Sequence, residues 1–208
     1  MNEEYFQTIT GAAEAALKIK GSRFLSYAAP IAQREEAERF LAALHKRYFD
    51  ATHHCYAWRL GYGTGESSRF ADDGEPSGTA GKPILQVITG RDLTNLIIVV
   101  VRYFGGTKLG TGGLVRAYTD AAALVLDHAA IRQIWLTRPL ELVVGYDHLN
   151  TLMKLIDRHG AIVEESEYGG EVRMKLALRL QEAEPFCAAA VDLTHGQIRL
   201  IPAAHSET

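Results

Sequence analysis

Leu96-Ile97-Ile98-Val99-Val100-Val101-Arg102-Tyr103-Phe104-Gly105-Gly106-Thr107-Lys108-Leu109-Gly110-Thr111-Gly112-Gly113-Leu114 is the stretch that decides the architecture. Its first six residues are aliphatic and mostly β-branched, with no polar alternation. A strand of that kind is covered on both faces and lies in the middle of a sheet. A glycine loop follows from Gly105 to Gly113, and a helix is expected from Leu114 to about His128. A central strand that runs through glycines into a helix makes this part of the chain a mixed α/β domain.

On the N-terminal side, Ala15 to Lys20 and Phe24 to Ala29 read as strands around Gly21-Ser22. Gln33 to Tyr48 reads as a helix with Ala37, Phe40, Leu41 and Leu44 on one side. Cys55 to Leu60 reads as a strand. Gly61 to about Thr79 shows no regular period and is expected to be a loop, and Ile84 to Ile88 fits either a short helix or a strand. Twelve of the 19 glycines fall between Gly61 and Gly113, which concentrates backbone freedom there.

On the C-terminal side the pattern changes. Leu140 to Val144 is a strand. Asp147 is placed to cap a helix with apolar positions Leu149, Leu152, Met153 and Ile156, and Gly160 ends it. Ala161 to Tyr168 and Val172 to Leu180 form a hairpin. In its second strand Val172, Met174, Leu176, Leu178 and Leu180 alternate with Arg173, Lys175, Ala177 and Arg179, one face core and one face wet. A strict two-residue turn would bury Glu165 and Glu167, so the loop is expected to be longer. A helix from about Glu182, with Pro185 in its first turn, and a strand from Gln197 to Ile201 complete β-α-β-β-α-β, the ferredoxin-like order. The fold class is therefore α+β in two domains, residues 1–134 and 138–208, with the boundary ahead of Pro139.

The bulk numbers set limits. Hydrophobic residues are 47% and charged residues 23% of 208, a composition that folds rather than stays disordered. The start of the chain is acidic, unlike a signal peptide, and the longest apolar runs have six residues where a membrane span needs about 20. Two distant cysteines, Cys55 and Cys187, read as reduced thiols, and a cytoplasmic location is expected. Residues 1–134 carry 15 basic and 14 acidic side chains, the remainder 7 and 11. No strong basic field advertises nucleic acid, so any polyanion must be held by a local patch and no reader of DNA sequence is expected.

Three places can carry chemistry. The glycine loop and the helix start after it offer unpaired amides and a partial positive charge to an anion, with Arg102, Lys108 and Arg116 adding charge. Equally, glycines at a strand end can be tight turns only. The nucleotide fingerprints fail: Val115 stands where the dinucleotide motif wants its last glycine, and Lys82 precedes Pro83 rather than Ser or Thr. Asp72-Asp73-Gly74-Glu75-Pro76 is an acidic turn whose carboxylates either hold Mg2+ or pair with Arg69, Lys82 or Arg102. His53-His54-Cys55 opens a strand, so neighbours point to opposite faces and the three cannot converge simply on one metal. Arg23 either contacts an anion or clasps Asp73 or Glu75. Arg173, Lys175 and Arg179 form a stripe on the open sheet face, where Glu164 is placed to neutralise Lys175.

Taken in order, Ser22-Arg23-Phe24, His53-His54-Cys55, Asp72 to Pro76, Gly78-Thr79-Ala80-Gly81-Lys82-Pro83 and the run from Gly90 to Gly113 resemble the YigZ/IMPACT family. Val101-Arg102-Tyr103-Phe104-Gly105-Gly106 is the most specific part. The resemblance implies a first domain like domain IV of elongation factor G, of ribosomal-protein-like α/β fold, and a second like that factor's ferredoxin-like domain V. It also implies a setting in translation. Eukaryotic members restrain, through a shared activator protein, the starvation-responsive kinase of an initiation factor, using an extra RWD domain. The residues before Ser22 are too few for one, so that interaction is not expected here.

Two functions follow as expectations. The first is a regulatory, non-catalytic binding protein that engages RNA or the ribosome, and translation-related proteins with it. Its surface would be Arg23, Lys82, Arg102, Lys108, Arg116 and Gly105, Gly106, Gly110, Gly112 and Gly113, with Tyr103 or His54 stacking on a base. No cofactor is required. The second is a Mg2+-dependent enzyme acting on a phosphorylated small molecule, with Asp72, Asp73 and Glu75 holding the ion and His54 as base.

Overall fold

The computed structural model describes residues 4–202; the acidic start at residues 1–3 lies outside them. In chain order the elements are β1 (Tyr5–Ile9), β2 (Ala13–Ile19), β3 (Ser22–Pro30), α1 (Arg34–Arg47), β4 (His53–Leu60), β5 (Ser67–Ala71), α2 (Gly81–Gly90), β6 (Leu96–Tyr103), α3 (Gly110–Asp127), β7 (Ile131–Trp135), β8 (Thr137–Val144), α4 (Tyr146–Arg158), β9 (Ile162–Tyr168), β10 (Val172–Arg179), α5 (Leu180–Leu193) and β11 (Arg199–Pro202). The chain divides into two compact units after Ile134, with Glu4 and Tyr5 grouped with the second.

The first unit is built on an antiparallel sheet of order β2-β3-β6-β4-β5. Strand β6 is its middle, and Leu96 to Val101 are fully buried, as six aliphatic residues without a wet face require. The strand alternation sends Leu96, Ile98 and Val100 into a core with α2 and α3, and Ile97, Val99 and Val101 into a second core under α1. Helices thus cover both faces. Strands β1 and β7 form a separate two-stranded sheet.

The second unit has sheet order β11-β8-β10-β9, the ferredoxin-like arrangement, with α4 and α5 packed together and a core of Leu140, Leu142, Val144, Leu152, Met174, Leu176 and Phe186. Gly169, Gly170 and Glu171 separate β9 from β10, a three-residue loop, and the register shifts at Lys175/Leu176. The three-residue loop, in place of a two-residue turn, puts Glu165 and not Glu164 opposite Lys175, and the pair closes to 2.5 Å.

Several expectations are corrected by the structure. The segment after Gly61 is not a plain loop: it holds a 3-10 turn, Gly63–Gly65, and edge strand β5. Its exposed side chains give it no hydrophobic period to read. The segment left open as helix or strand is helix α2, which starts at Gly81. Helix α3 starts at Gly110 rather than Leu114, because glycine is a weak helix former whose presence hides a first turn. Gly145, not Asp147, is the N-cap of α4, and Asp147 sits inside its first acidic turn. Pro185 is the sixth residue of α5, where it removes the N–H that would bond to the Gln181 carbonyl. Strands β1 and β7 were not anticipated.

Candidate functional site

Strands β3 and β4 begin, and β6 ends, at one end of the first sheet: Phe24 and His53 both lie opposite Arg102. Alternation puts Ser22, His53, Cys55 and Arg102 on the face covered by α2 and α3. Arg102 is thereby buried, and its Nη1 donates to Glu75 Oε1 at 2.5 Å. Tyr118 of α3 donates its hydroxyl to the same oxygen at 2.8 Å, and His53 Nε2 lies 3.7 Å from it. Arg102 Nη2 donates to Ser22 Oγ, which also accepts the Gly105 N–H. The guanidinium lies over the rings of Phe24 and Phe104. Cys55 Sγ donates to the Asp72 carbonyl at 2.9 Å and lies 3.3 Å from Tyr118 Oη.

The acidic turn performs three separate tasks. Asp72 accepts the N–H groups of Gly78, Ala80 and Gly81 and so caps the start of α2. Asp73, held at φ 45°, accepts the His54 N–H at 2.6 Å. Glu75 neutralises Arg102. The three carboxylates diverge, and the pairing alternative with Arg102 is the one the geometry adopts. Burial, first of all, pushes the Cys55 thiol and the Tyr118 hydroxyl above their ordinary ranges, so both stay protonated.

This buried network holds up an exposed loop. A Cβ on Gly105 would lie 1.9 Å from the Gly21 carbonyl carbon, so the chain after β6 can approach the β2–β3 turn only because both residues are glycine. Beyond it the chain is open. Side chains added at Gly106, Gly110 or Gly112 would meet nothing within 4 Å, and α3 begins without a side-chain cap. The amides of Gly110, Thr111 and Gly112 precede the first intrahelical bonds and have no partner among the described residues. Gly113 closes that first turn. Lys82, Lys108 and Arg116 are exposed and unpaired among the described residues, and Arg116 lies one turn beyond Gly112 on the same helix face.

The sequence-derived candidates therefore divide. Gly106, Lys108, Gly110, Gly112, Gly113 and Arg116 gather at the start of α3, and Lys82 stands near the start of α2. Arg102 is withdrawn from the surface and acts as an internal counter-charge, a correction to its expected role. His54 is also corrected: it is buried against His45 on the α1 face and offers no ring to a base. Tyr103 and Arg23 share that α1 face. Tyr103 donates to Asp50, and Arg23 lies over the Tyr103 ring rather than clasping Asp73 or Glu75. Tyr118 was missed. Its signal is a lone hydroxyl among Leu114, Ala117, Ala121, Ala122 and Val125, all buried on one helix face.

Comparison with known proteins gives these residues a lineage. Residues 20–126 match the model of the Impact N-terminal domain, and residues 142–197 that of a domain of unknown function, DUF1949. The IMPACT family member YvyE of Bacillus subtilis is 33% identical, covering 95% of this chain and 90% of that one. A crystal structure described as that of a hypothetical protein is 31% identical and superposes with a TM-score of 0.68 over 98% of this chain and 99% of the other. The structure described as the two-domain translational regulator Yih1 is 27% identical over 62% of this chain and 48% of its own, with a TM-score of 0.36, too low for a structural comparison. Both domains are matched in order and the likeness runs nearly end to end, so the chain belongs to the IMPACT family.

Proposed function

We propose that this protein is a regulatory, non-catalytic binding protein of the translation apparatus that engages RNA or the ribosome through the Phe104–Gly113 loop and the start of α3. The observation that carries the reading is the exposed start of α3, which has no side-chain cap and has Lys108 and Arg116 beside it, exposed and in no ion pair among the described residues. Phe104, 47% exposed at the mouth of the loop, supplies a face for stacking on a base. The choice of translation rests on the resemblance of the motifs from Ser22 to Gly113 to a family whose eukaryotic members modulate it. The Mg2+-dependent alternative draws no support from the geometry, since Asp72, Asp73 and Glu75 each face a different partner.

A ribosome-pelleting and RNA filter-binding series at rising salt tests the reading. Binding at low salt is expected, with loss in a Lys108→Ala/Arg116→Ala variant whose fold is intact. Absence of binding at low salt, or full binding by that variant, removes the proposal.

A further inference from the structure

On the other face of the sheet a different constellation is assembled, apart from the surface just described. We propose that His45, His54 and Asp73 form a binding site for one divalent transition-metal ion of the zinc class, open on its solvent side. The three come from separate elements: His45 from the last turn of α1, His54 from β4, and Asp73 from the tight turn before Gly74. One ligand atom from each lies within 4.8 Å of the other two. The two imidazoles stack with centroids 4.0 Å apart and planes tilted by 30°. His54 Nδ1 lies 3.8 Å from Asp73 Oδ2.

The second, independent observation is His54 itself. It is 5% exposed; Nδ1 is the ring nitrogen that lies near Asp73 Oδ2, and the other, Nε2, is buried with no hydrogen-bond partner among the described residues. A buried polar ring without hydrogen bonds is uncommon in folded proteins, and it leaves Nδ1 free to act as a ligand. Two nitrogens and one carboxylate oxygen suit zinc, cobalt or nickel and not magnesium or calcium, which prefer oxygen alone.

Ligand atoms around tetrahedral zinc lie about 3.4 Å apart, given bonds of roughly 2.1 Å. Closure therefore asks the His45 ring to turn out of its stack on His54, so that the two in-plane lone pairs meet one ion, and asks Asp73 to move inward. His45 and Asp73, both exposed, have that freedom, while His54 is fixed by the strand. The carboxylate is already oriented by the His54 N–H, in the manner of an outer-shell contact. An ion here ties α1 to the turn that carries Glu75.

The test uses the full chain stripped with chelator and titrated with Zn2+ by calorimetry, and with Co2+ by visible absorption. One ion per chain is expected, with the intense Co2+ bands of a four-coordinate site. His45→Ala and Asp73→Asn, both at exposed positions, should each weaken affinity by about 10–100-fold or more with unchanged circular dichroism. A wild-type chain that takes up no Zn2+ overturns the proposal. So does stoichiometric binding retained in both variants, which would place the ion elsewhere.

Discussion

Arg102 shows how one residue read as a surface charge becomes an internal strut. With its guanidinium paired to Glu75 and almost no exposed side chain, the ion pair cannot fall back on water. Arg102→Ala leaves a carboxylate buried without its counter-charge and should cost about 3–5 kcal/mol in urea unfolding. Arg102→Met combined with Glu75→Leu removes both charges and should cost clearly less than Arg102→Ala alone. Equal costs would mean that Glu75 is satisfied by Tyr118 and water. Gly105 makes a similar argument in steric terms. A Cβ there collides with the backbone of Gly21 and Ser22, so Gly105→Ala should destabilise by about 3 kcal/mol or more, while Gly106, with the same residue type next door, touches nothing. Sequence reading sees two adjacent glycines and cannot tell them apart. The difference lies in a contact with a turn more than eighty residues away.

Helix starts are the elements on which the proposed surface depends, and the first unit treats those of α2 and α3 differently. The start of α2 is closed by Asp72, which takes three amides, so Asp72→Ala should destabilise by about 2 kcal/mol, the upper end for a lost cap. The start of α3 is left open, which gives a prediction of opposite sign for stability and binding. Gly112→Asp places a negative charge at the positive end of α3 and should stabilise by about 0.3–1 kcal/mol. It should also abolish RNA or ribosome binding, because the carboxylate occupies the anion's place. Thermal melts and filter binding on that one variant separate the two roles, and unchanged binding would show that the α3 amides contact no phosphate. How much of this was legible follows the same line. Strand β6, the ferredoxin-like order of the second unit and the glycine loop were readable because buried aliphatics and glycine carry local signals. Strand β5, the true start of α3 and the division of the acidic turn among three partners were not. Those depend on pairing across the sheet, where Asp72, Asp73 and Glu75 look alike in sequence and differ only in what lies opposite.

At the scale of the molecule, charge and protonation decide where the protein works. The buried neutral His54 has its pKa lowered, so below about pH 6.5 the unfolded chain takes up a proton that the folded chain refuses. Stability should therefore hold above that pH and decline as the pH falls towards 5, and His54→Asn should flatten the decline in parallel melts. Salt dependence tests the wider claim. The net charge is −3, and among the described residues the free cations near the two helix starts are Lys82, Lys108 and Arg116. Three phosphate contacts to single-stranded RNA predict a slope of about −2 for log K against log salt, from roughly −0.7 per contact. Lys108→Ala should lower it in magnitude by about 0.7. A slope steeper than about −5 would demand a broad basic field, which this chain does not have, and would move the binding surface away from α3. A slope near zero with intact binding would make the contact one between proteins instead, and the open amides of α3 would then be scaffold for a docking face with no phosphate in it.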